Sequence, residues 1–456
     1  MPFLSRLRRP GTRKAGAVAL TVILAAMLAA CGQDHPDSIF HQRTDVNRDV
    51  DYLFKILIYA GTAVFIFVEG ILVWTLIKFR KRPGQPEPEH VHGNTTLEIA
   101  WTVIPLIILI VIAIPTVRSI FKTQAEARSD ALQVEVIGHQ WWWEFRYPQY
   151  SVTTANELYL PLGRTVNFKL NSADVIHSFW IPALSGKRDV MPGVRHSNYL
   201  WFMPDSAGTG VWNGACVEFC GSSHANMRFR TFTVSAADFE SWAKHQAEPS
   251  VMPPGSALVP ATTATTAAPP AAAPGAPPAT AGQAAQNAAG AKPPAGTRAA
   301  ADTAQKPATP ATQSGFVAFA RDQMPAHNVP QTPIPDGLNF DDSLLGKGDA
   351  ASGATIMASS GGCLICHGVK GNPKMVGVIG PNLTHVASRT TIAAGLFPND
   401  ARHLARWIKN ARAMKPGVTM FTIGKNEYDP VLKSVMKQGL TDQQIADVVA
   451  YLETLK

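Results

Sequence analysis

The run Cys216-Val-Glu-Phe-Cys220-Gly-Ser-Ser-His224-Ala-Asn-Met227 decides how the rest of the chain is read. Two thiols stand four residues apart, an imidazole follows four later, and a thioether lies three beyond that. A second imidazole, His177, sits upstream in Asp174-Val-Ile-His-Ser-Phe-Trp-Ile-Pro182. Such a soft, nitrogen-rich donor set suits copper rather than magnesium, calcium or manganese. A single blue-copper ion takes one Cys, two His and a weak Met. The second Cys in the same loop points to two coppers bridged by both thiolates. By itself, a Cys pair in an exported protein is more often a disulfide or a structural zinc site. The His and Met at fixed offsets, together with His177, turn the reading to copper.

Composition narrows the surroundings of this loop. The chain has 456 residues, enough for two or three domains, and a formal charge of +8. Residues 1–30 carry Arg6, Arg8, Arg9, Arg13 and Lys14 with no acid, which leaves only +3 for the remainder. Charged residues make up 16% of the whole, well below the usual quarter or so. This is the profile of a membrane protein with a biased linker, and it excludes a nucleic-acid partner. The five cysteines, at 31, 216, 220, 363 and 366, each have a separate chemical task, so none is left for a structural disulfide.

Residues 1–30 read as a secretion leader, with a basic start and an apolar run up to Ala30. Leu28-Ala-Ala-Cys31-Gly resembles a bacterial lipoprotein box, in which the cysteine becomes the lipidated first residue; the other reading is an uncleaved anchor helix. Residues 31–122 form a transmembrane hairpin with spans at about 53–77 and 97–117, each long enough to cross the hydrocarbon layer. Lys78, Arg80, Lys81 and Arg82 put the connecting loop in the cytoplasm, so both outer flanks face the opposite side. Glu69 lies within the first span, where an ionisable group is costly enough to invite a functional reading or a partner in another subunit.

Residues 130–245 read as an exported β domain. Leu132, Val134 and Val136, and again Val166, Phe168 and Leu170, alternate with period two, and the turns are rich in Gly, Pro, Asn and Asp. Residues 246–345 read as an Ala/Pro-rich linker. Its biased part can form no core and, as a flexible coil, would span on the order of 45 Å. Residues 346–456 hold Cys363-Leu-Ile-Cys366-His367, the c-type haem attachment signature: two thiols for thioether bonds and an imidazole for the iron. Leu404, Trp407, Ile408 and Ala411 recur at helical spacing, as do Ile445, Val448, Val449, Leu452 and Leu455. The sixth iron ligand has to come from among Met375, Met414, Met420 and others, and most methionines are core filler.

Cys-x-Glu-x-Cys-Gly-x-x-His-x-x-Met, preceded by Asp-Val-x-His-Ser-Phe and by Gly138-His-Gln-Trp-Trp-Trp143, resembles subunit II of the haem–copper cytochrome c oxidases over about residues 50–245. With Gly380-Pro-Asn-Leu383 and the closing helix, residues 346–456 resemble a class I cytochrome c, as in the caa-type oxidases. The resemblance implies a multidomain membrane protein: a two-helix transmembrane hairpin, a β-barrel cupredoxin domain and an all-α cytochrome c domain. It implies that Cys216 and Cys220 bridge a dinuclear CuA centre with His177 and His224 as terminal ligands and Met227 as a weak one. Glu218 would give its carbonyl to copper and its carboxylate to a magnesium shared with subunit I. Trp141 takes the position at which electrons enter from cytochrome c, expected to be exposed. Trp142 stands where the family commonly has Tyr. Glu98, in Leu97-Glu-Ile-Ala-Trp-Thr-Val-Ile-Pro105, matches the glutamate at the mouth of the K proton pathway. Met420 follows Lys415-Pro-Gly-Val-Thr as the axial methionine does, although Phe421 replaces the usual proline.

The function these residues imply is electron transfer through a covalently held haem c (Cys363, Cys366, His367, Met420) to the copper pair and on to subunit I. Oxygen is reduced in subunit I, coupled to proton translocation. The implied setting is the bacterial inner membrane, with copper and haem domains on the outer face. The implied partners are membrane lipid, further oxidase subunits, and a soluble or membrane-bound cytochrome c or upstream respiratory complex as donor. The linker would tether the haem domain at an effective concentration of about a millimolar. A lipid-anchored copper chaperone or thiol redox protein using Cys216 and Cys220 is the alternative, but it has no use for two spans.

Overall fold

The computed structural model describes residues 37–84, 92–124, 129–193, 198–205, 207–250 and 316–456, with a few isolated positions in the leader. The leader cleavage region, Cys31 and the most biased part of the linker, 251–315, lie outside the described residues.

Two helices, α1 (Asp45–Lys78) and α2 (Thr95–Gln124), make the hairpin. Their apolar windows have mean hydropathy of 2.3 and 2.7, and no residue of those windows is buried within the chain. A helix that is apolar all round and unburied needs lipid or a partner helix around it. Each helix is longer than the span read from sequence because polar turns extend beyond the hydrocarbon. Thr44 caps α1 through its hydroxyl and the Asn47 amide. Asn94 caps α2 at the Leu97 amide, while Glu98 reaches back to the Asn94 amide at 3.3 Å.

The exported domain is two five-stranded sheets. One runs β3 (Val152–Ala155), β2 (Trp142–Tyr147), β1 (Leu132–His139), β5 (Val166–Ser172), β8 (Asn198–Phe202). The other runs β4 (Glu157–Pro161), β10 (Arg228–Val234), β9 (Gly210–Cys216), β6 (His177–Trp180), β7 (Arg188–Val190). Parallel pairs β1–β5 and β4–β10 show that the strands are not a simple meander. Strand β1 buries every second side chain, beginning at Leu132, as its period-two pattern requires. Between the sheets Trp143, Phe179 and Phe229 pack edge-to-face or stacked, with ring centroids 5.0–5.7 Å apart. Helix α3 (Ala236–Ala247) closes this core with Phe239 and Trp242.

The C-terminal domain packs α4 (Ala350–Met357) against α7 (Asp442–Thr454), with α5 (Ala401–Lys409) and α6 (Ala411–Met414) alongside. The first crossing is so close that a Cβ on Gly353 would lie 2.0 Å from the Asp447 carbonyl oxygen, so no other residue fits there. Two short ladders, β11 (Thr391–Ile392) with β12 (Phe397–Pro398) and β13 (Tyr428–Asp429) with β14 (Ser434–Val435), decorate the helices. The apolar positions read at helical spacing are buried, Trp407 only partly.

The extent of the linker needs correction. Residues 316–345 are packed, not free: Phe316, Phe319 and Met324 lie on the barrel core, and Leu338 and Phe340 belong to the core of the C-terminal domain. Their prolines and irregular apolar spacing give no period, because the segment makes single-residue contacts and only short 3-10 turns such as Arg321–Gln323 and Ala326–Asn328. Helix α3 also runs to Ala247, past the expected start of the linker.

Candidate metal centre and haem-attachment site

Strand β9 ends at Cys216, strand β6 begins at His177, and the loop 217–227 returns as β10, so the sheet brings all the donors to one end of the barrel. The sulfurs of Cys216 and Cys220 are 3.8 Å apart, far beyond the ~2.05 Å of a disulfide. His177 Nδ1 is 3.8 Å from Cys216 Sγ, and His224 Nδ1 is 3.6 Å from Cys220 Sγ. Met227 Sδ is 3.9 Å from Cys220 Sγ, and the Glu218 carbonyl is 3.3 Å from Cys216 Sγ. Two thiols, two imidazoles, a thioether and a carbonyl thus surround one small volume, a set that fits copper.

The surroundings orient these donors. His177 Nε2 is bonded to Asp174 Oδ1 at 2.8 Å, which leaves Nδ1 turned to the sulfurs. Burial draws the His177 imidazole below its usual value despite Asp174, favouring the neutral, ligating form. Burial and the neighbouring Cys216 push the Cys220 thiol up, so a metal has to displace its proton. Asp174 stood in the quoted motif three residues before His177, but its partner was not legible there. The carboxylate of Glu218 is exposed, as is Phe219.

In the C-terminal domain, Cys363 opens a single 3-10 turn that ends at Ile365, and Cys366 and His367 follow it directly. His367 Nδ1 donates to the Pro381 carbonyl at 2.8 Å, leaving Nε2 free for iron. A Cβ on Gly380 would lie 2.7 Å from His367 Cε1, so the glycine lets the loop pass against the ring. Burial pushes the Cys363 thiol up to about 11. Met375 and Met414 are core residues, whereas Met420 is half-buried in the loop after α6. The residues present fit a covalently attached haem.

The two domains meet at Trp141. Its indole Nε1 donates to the Cys220 carbonyl at 3.0 Å, and Gln140 Nε2 donates to the same oxygen at 2.7 Å. Trp141 was expected to be exposed, and here it is only 8% exposed, because the loop Lys415–Gly417 lies on it. A Cβ on Gly417, whose φ is +82°, would sit 2.9 Å from the Trp141 ring. Lys415 Nζ donates to the Trp141 carbonyl at 2.6 Å, and Ser223 Oγ donates to the Pro416 carbonyl. Burial pulls the Lys415 ammonium down to about 7. Trp142 stacks on His139 at 4.1 Å, and Trp143 is core.

Farther along the interface, Glu157 Oε1 accepts from Thr390 N and Oγ1, both at 2.6 Å, and from Thr391 N at 3.3 Å. Arg230 donates to the Asn328 carbonyl at 3.0 and 3.2 Å and to the Gly395 carbonyl at 3.4 Å. The sequence implies a haem domain held near the copper domain by its tether; the structure shows it docked through these contacts. Glu157 carried no sequence signal, and Lys415 and Gly417 were legible only as the loop before Met420, not as partners of Trp141.

Fold and cluster define the class: a membrane-anchored cupredoxin-type domain joined to a cytochrome c domain. Three family profiles match, described as cytochrome c oxidase subunit II transmembrane domain (residues 41–118), cytochrome c oxidase subunit II periplasmic domain (151–234) and cytochrome c (350–456). Cytochrome c oxidase subunit 2 of Alkalihalophilus pseudofirmus is 38% identical over 198 residues, 42% of this chain and 56% of that protein. The chain thus spans little more than half the length of that relative. Probable cytochrome c oxidase subunit 2 of Rickettsia bellii is 35% identical over 207 residues, covering 41% of this chain and 75% of that protein. The solved periplasmic domain of cytochrome oxidase subunit II of Bradyrhizobium japonicum is 30% identical, with a TM-score of 0.25, over 27% of this chain and 96% of that one. The chain belongs to the cytochrome c oxidase subunit 2 family and carries a fused cytochrome c domain.

Proposed function

We propose that the chain accepts electrons at its own haem c domain, passes them to a dinuclear copper centre, and delivers them to subunit I of a respiratory oxidase. There oxygen is reduced with proton translocation. The observation that carries the reading is the meeting of the two domains: the loop leading to Met420 lies on Trp141, which is hydrogen-bonded to the backbone of Cys220.

When bound, haem on Cys363, Cys366, His367 and Met420, and copper on His177, Cys216, Glu218, Cys220, His224 and Met227, supply one-electron redox chemistry at neutral pH. The protein's part is placement. Asp174 fixes the His177 tautomer, the Pro381 carbonyl does the same for His367, and the barrel holds the ligand loop rigid. The exposed Glu218 carboxylate remains available for a magnesium shared with subunit I. Glu98, at the cytoplasmic end of α2, would feed protons to subunit I. The unburied faces of α1 and α2 suit lipid and the helices of further subunits. The setting is the bacterial inner membrane with both cofactor domains outside. The external donor is a soluble or membrane-bound cytochrome c or an upstream respiratory complex. The domain division proposed is leader 1–30, hairpin 31–122, copper domain 130–245 and a haem domain with its core beginning at Leu338.

Metal analysis and absorption spectroscopy on the purified full-length chain test this reading. Two coppers and one covalent haem per chain are expected. Zinc in place of copper, or a Cys216–Cys220 disulfide that cannot be metallated after reduction, would overturn it.

A further inference from the structure

We infer that Lys415 is a positioning residue for electron transfer between the two domains: by anchoring the haem-domain loop on the Trp141 backbone, it seats Gly417 against the Trp141 indole. The inference rests on the function proposed above and concerns how the transfer route is held together.

Five contacts carry it. Lys415 is only 2% exposed, and its Nζ donates to the Trp141 carbonyl at 2.6 Å and the Ala393 carbonyl at 3.3 Å. One side chain therefore ties the copper domain to a second loop of the haem domain. Two residues on, Gly417 takes φ +82°, and a Cβ there would lie 2.9 Å from Trp141 Cη2 and 3.0 Å from Ser222 Cβ. The indole leaves no room for a Cβ at Gly417, so any side chain there would hold loop and ring apart. On its far edge the same indole donates to the Cys220 carbonyl at 3.0 Å. Ser223, next to His224, donates to the Pro416 carbonyl and fixes the loop from the other side.

A buried lysine is a costly way to make two hydrogen bonds, since its long side chain loses rotamer freedom and its head loses water. A surface lysine could hold the domains together at less cost. What the buried position adds is direction: the Nζ bond is made to the backbone of Trp141 itself and not to a neighbour. Without it, Trp141 loses the contact that fixes its height against Gly417, so the ring moves and its bond to Cys220 opens more often. The electron exchanged leaves a ferrous haem and reduces the oxidised copper pair, so no further reactant is needed.

The test uses Lys415→Met, which keeps length and apolar bulk, and Gly417→Ala, which keeps the ammonium. Two readouts are taken on the full chain. One is deuterium exchange of the Trp141 indole N–H in the metal-free protein, assigned against Trp141→Phe. The other is the haem-to-copper rate after flash reduction of the loaded protein. Both variants are expected to slow transfer by about tenfold or more, since small misplacements of this kind are felt strongly. Haem and copper spectra should stay unchanged, and in Lys415→Met the indole exchange should quicken. Wild-type transfer and wild-type indole protection in Lys415→Met would overturn the inference. So would a normal rate in Gly417→Ala, even if Lys415→Met failed to fold. Absence of any haem-to-copper transfer in the wild-type chain would instead sink the function proposed above, and this inference with it.

Discussion

Trp141 Nε1 donates to the carbonyl of Cys220 at 3.0 Å, so the aromatic ring that meets the haem domain is bonded to the backbone of a proposed copper ligand. Trp141→Phe keeps an aromatic ring and removes that bond. We expect copper content unchanged and haem-to-copper transfer slowed, measured by flash reduction of the full chain. A wild-type rate would show that the route does not use the indole N–H.

Cutting the chain within Pro269–Ala300 should leave both domains associated. The contacts of Glu157, Arg230 and Lys415 all lie outside that segment, and residues 316–345 stay packed on both cores. Transfer should stay independent of protein concentration after the cut. Second-order kinetics would mean that the tether, through effective concentration, and not the interface holds the donor in place.

Cys216→Ser or Cys220→Ser should abolish the copper pair and spare the haem, because each thiolate would serve both metals and the haem lies in a separate core. Met227→Leu should retain copper and shift its reduction potential, since a thioether is the weak ligand. Copper analysis with redox titration checks both. Loss of all copper in the Met227 variant would reverse the ligand ranking.

Docking should weaken as pH rises from the usual carboxylate range. Burial raises the Glu157 carboxyl, although Thr390 donates to it and Arg389 is near. The docked form then binds the proton more tightly than the undocked form. The contribution of Glu157 is greatest below its ordinary value and is lost as pH climbs through the raised one. Glu157→Gln keeps an acceptor for the Thr390 and Thr391 donors and should flatten the dependence. Exchange protection of the Thr390 and Thr391 amides against pH reads this out, and an unchanged slope in the variant would refute it.

Glu98→Gln should slow steady-state oxygen consumption by the assembled complex with both metal centres intact. Because Gln can still accept from the Asn94 amide, the helix cap survives and the proton role is isolated. Wild-type turnover would reduce Glu98 to its capping bond.

The chemistry of this protein was legible wherever it is written locally. Cys216 to Met227 and Cys363 to His367 declare candidate donors by spacing, and those of the first run do come together in one small volume. The two spans could be read because twenty or so apolar residues in a row have few other uses. Alternation in β1 reported which side chains face the core, since a strand half-buried in a barrel must repeat every second residue.

The sequence by itself therefore determined the kinds of domain and their order, the candidate donors and the membrane hairpin, each set by residues near one another in the chain. Only the tertiary structure decided that the haem domain is docked, that residues 316–345 bind it to the barrel, and that Trp141 is covered. Lys415 and Trp141, or Glu157 and Thr390, lie more than two hundred residues apart. Their hydrogen bonds follow no period and leave no motif. Whether such pairs meet depends on how two finished surfaces fit, and that is fixed only after each domain has folded.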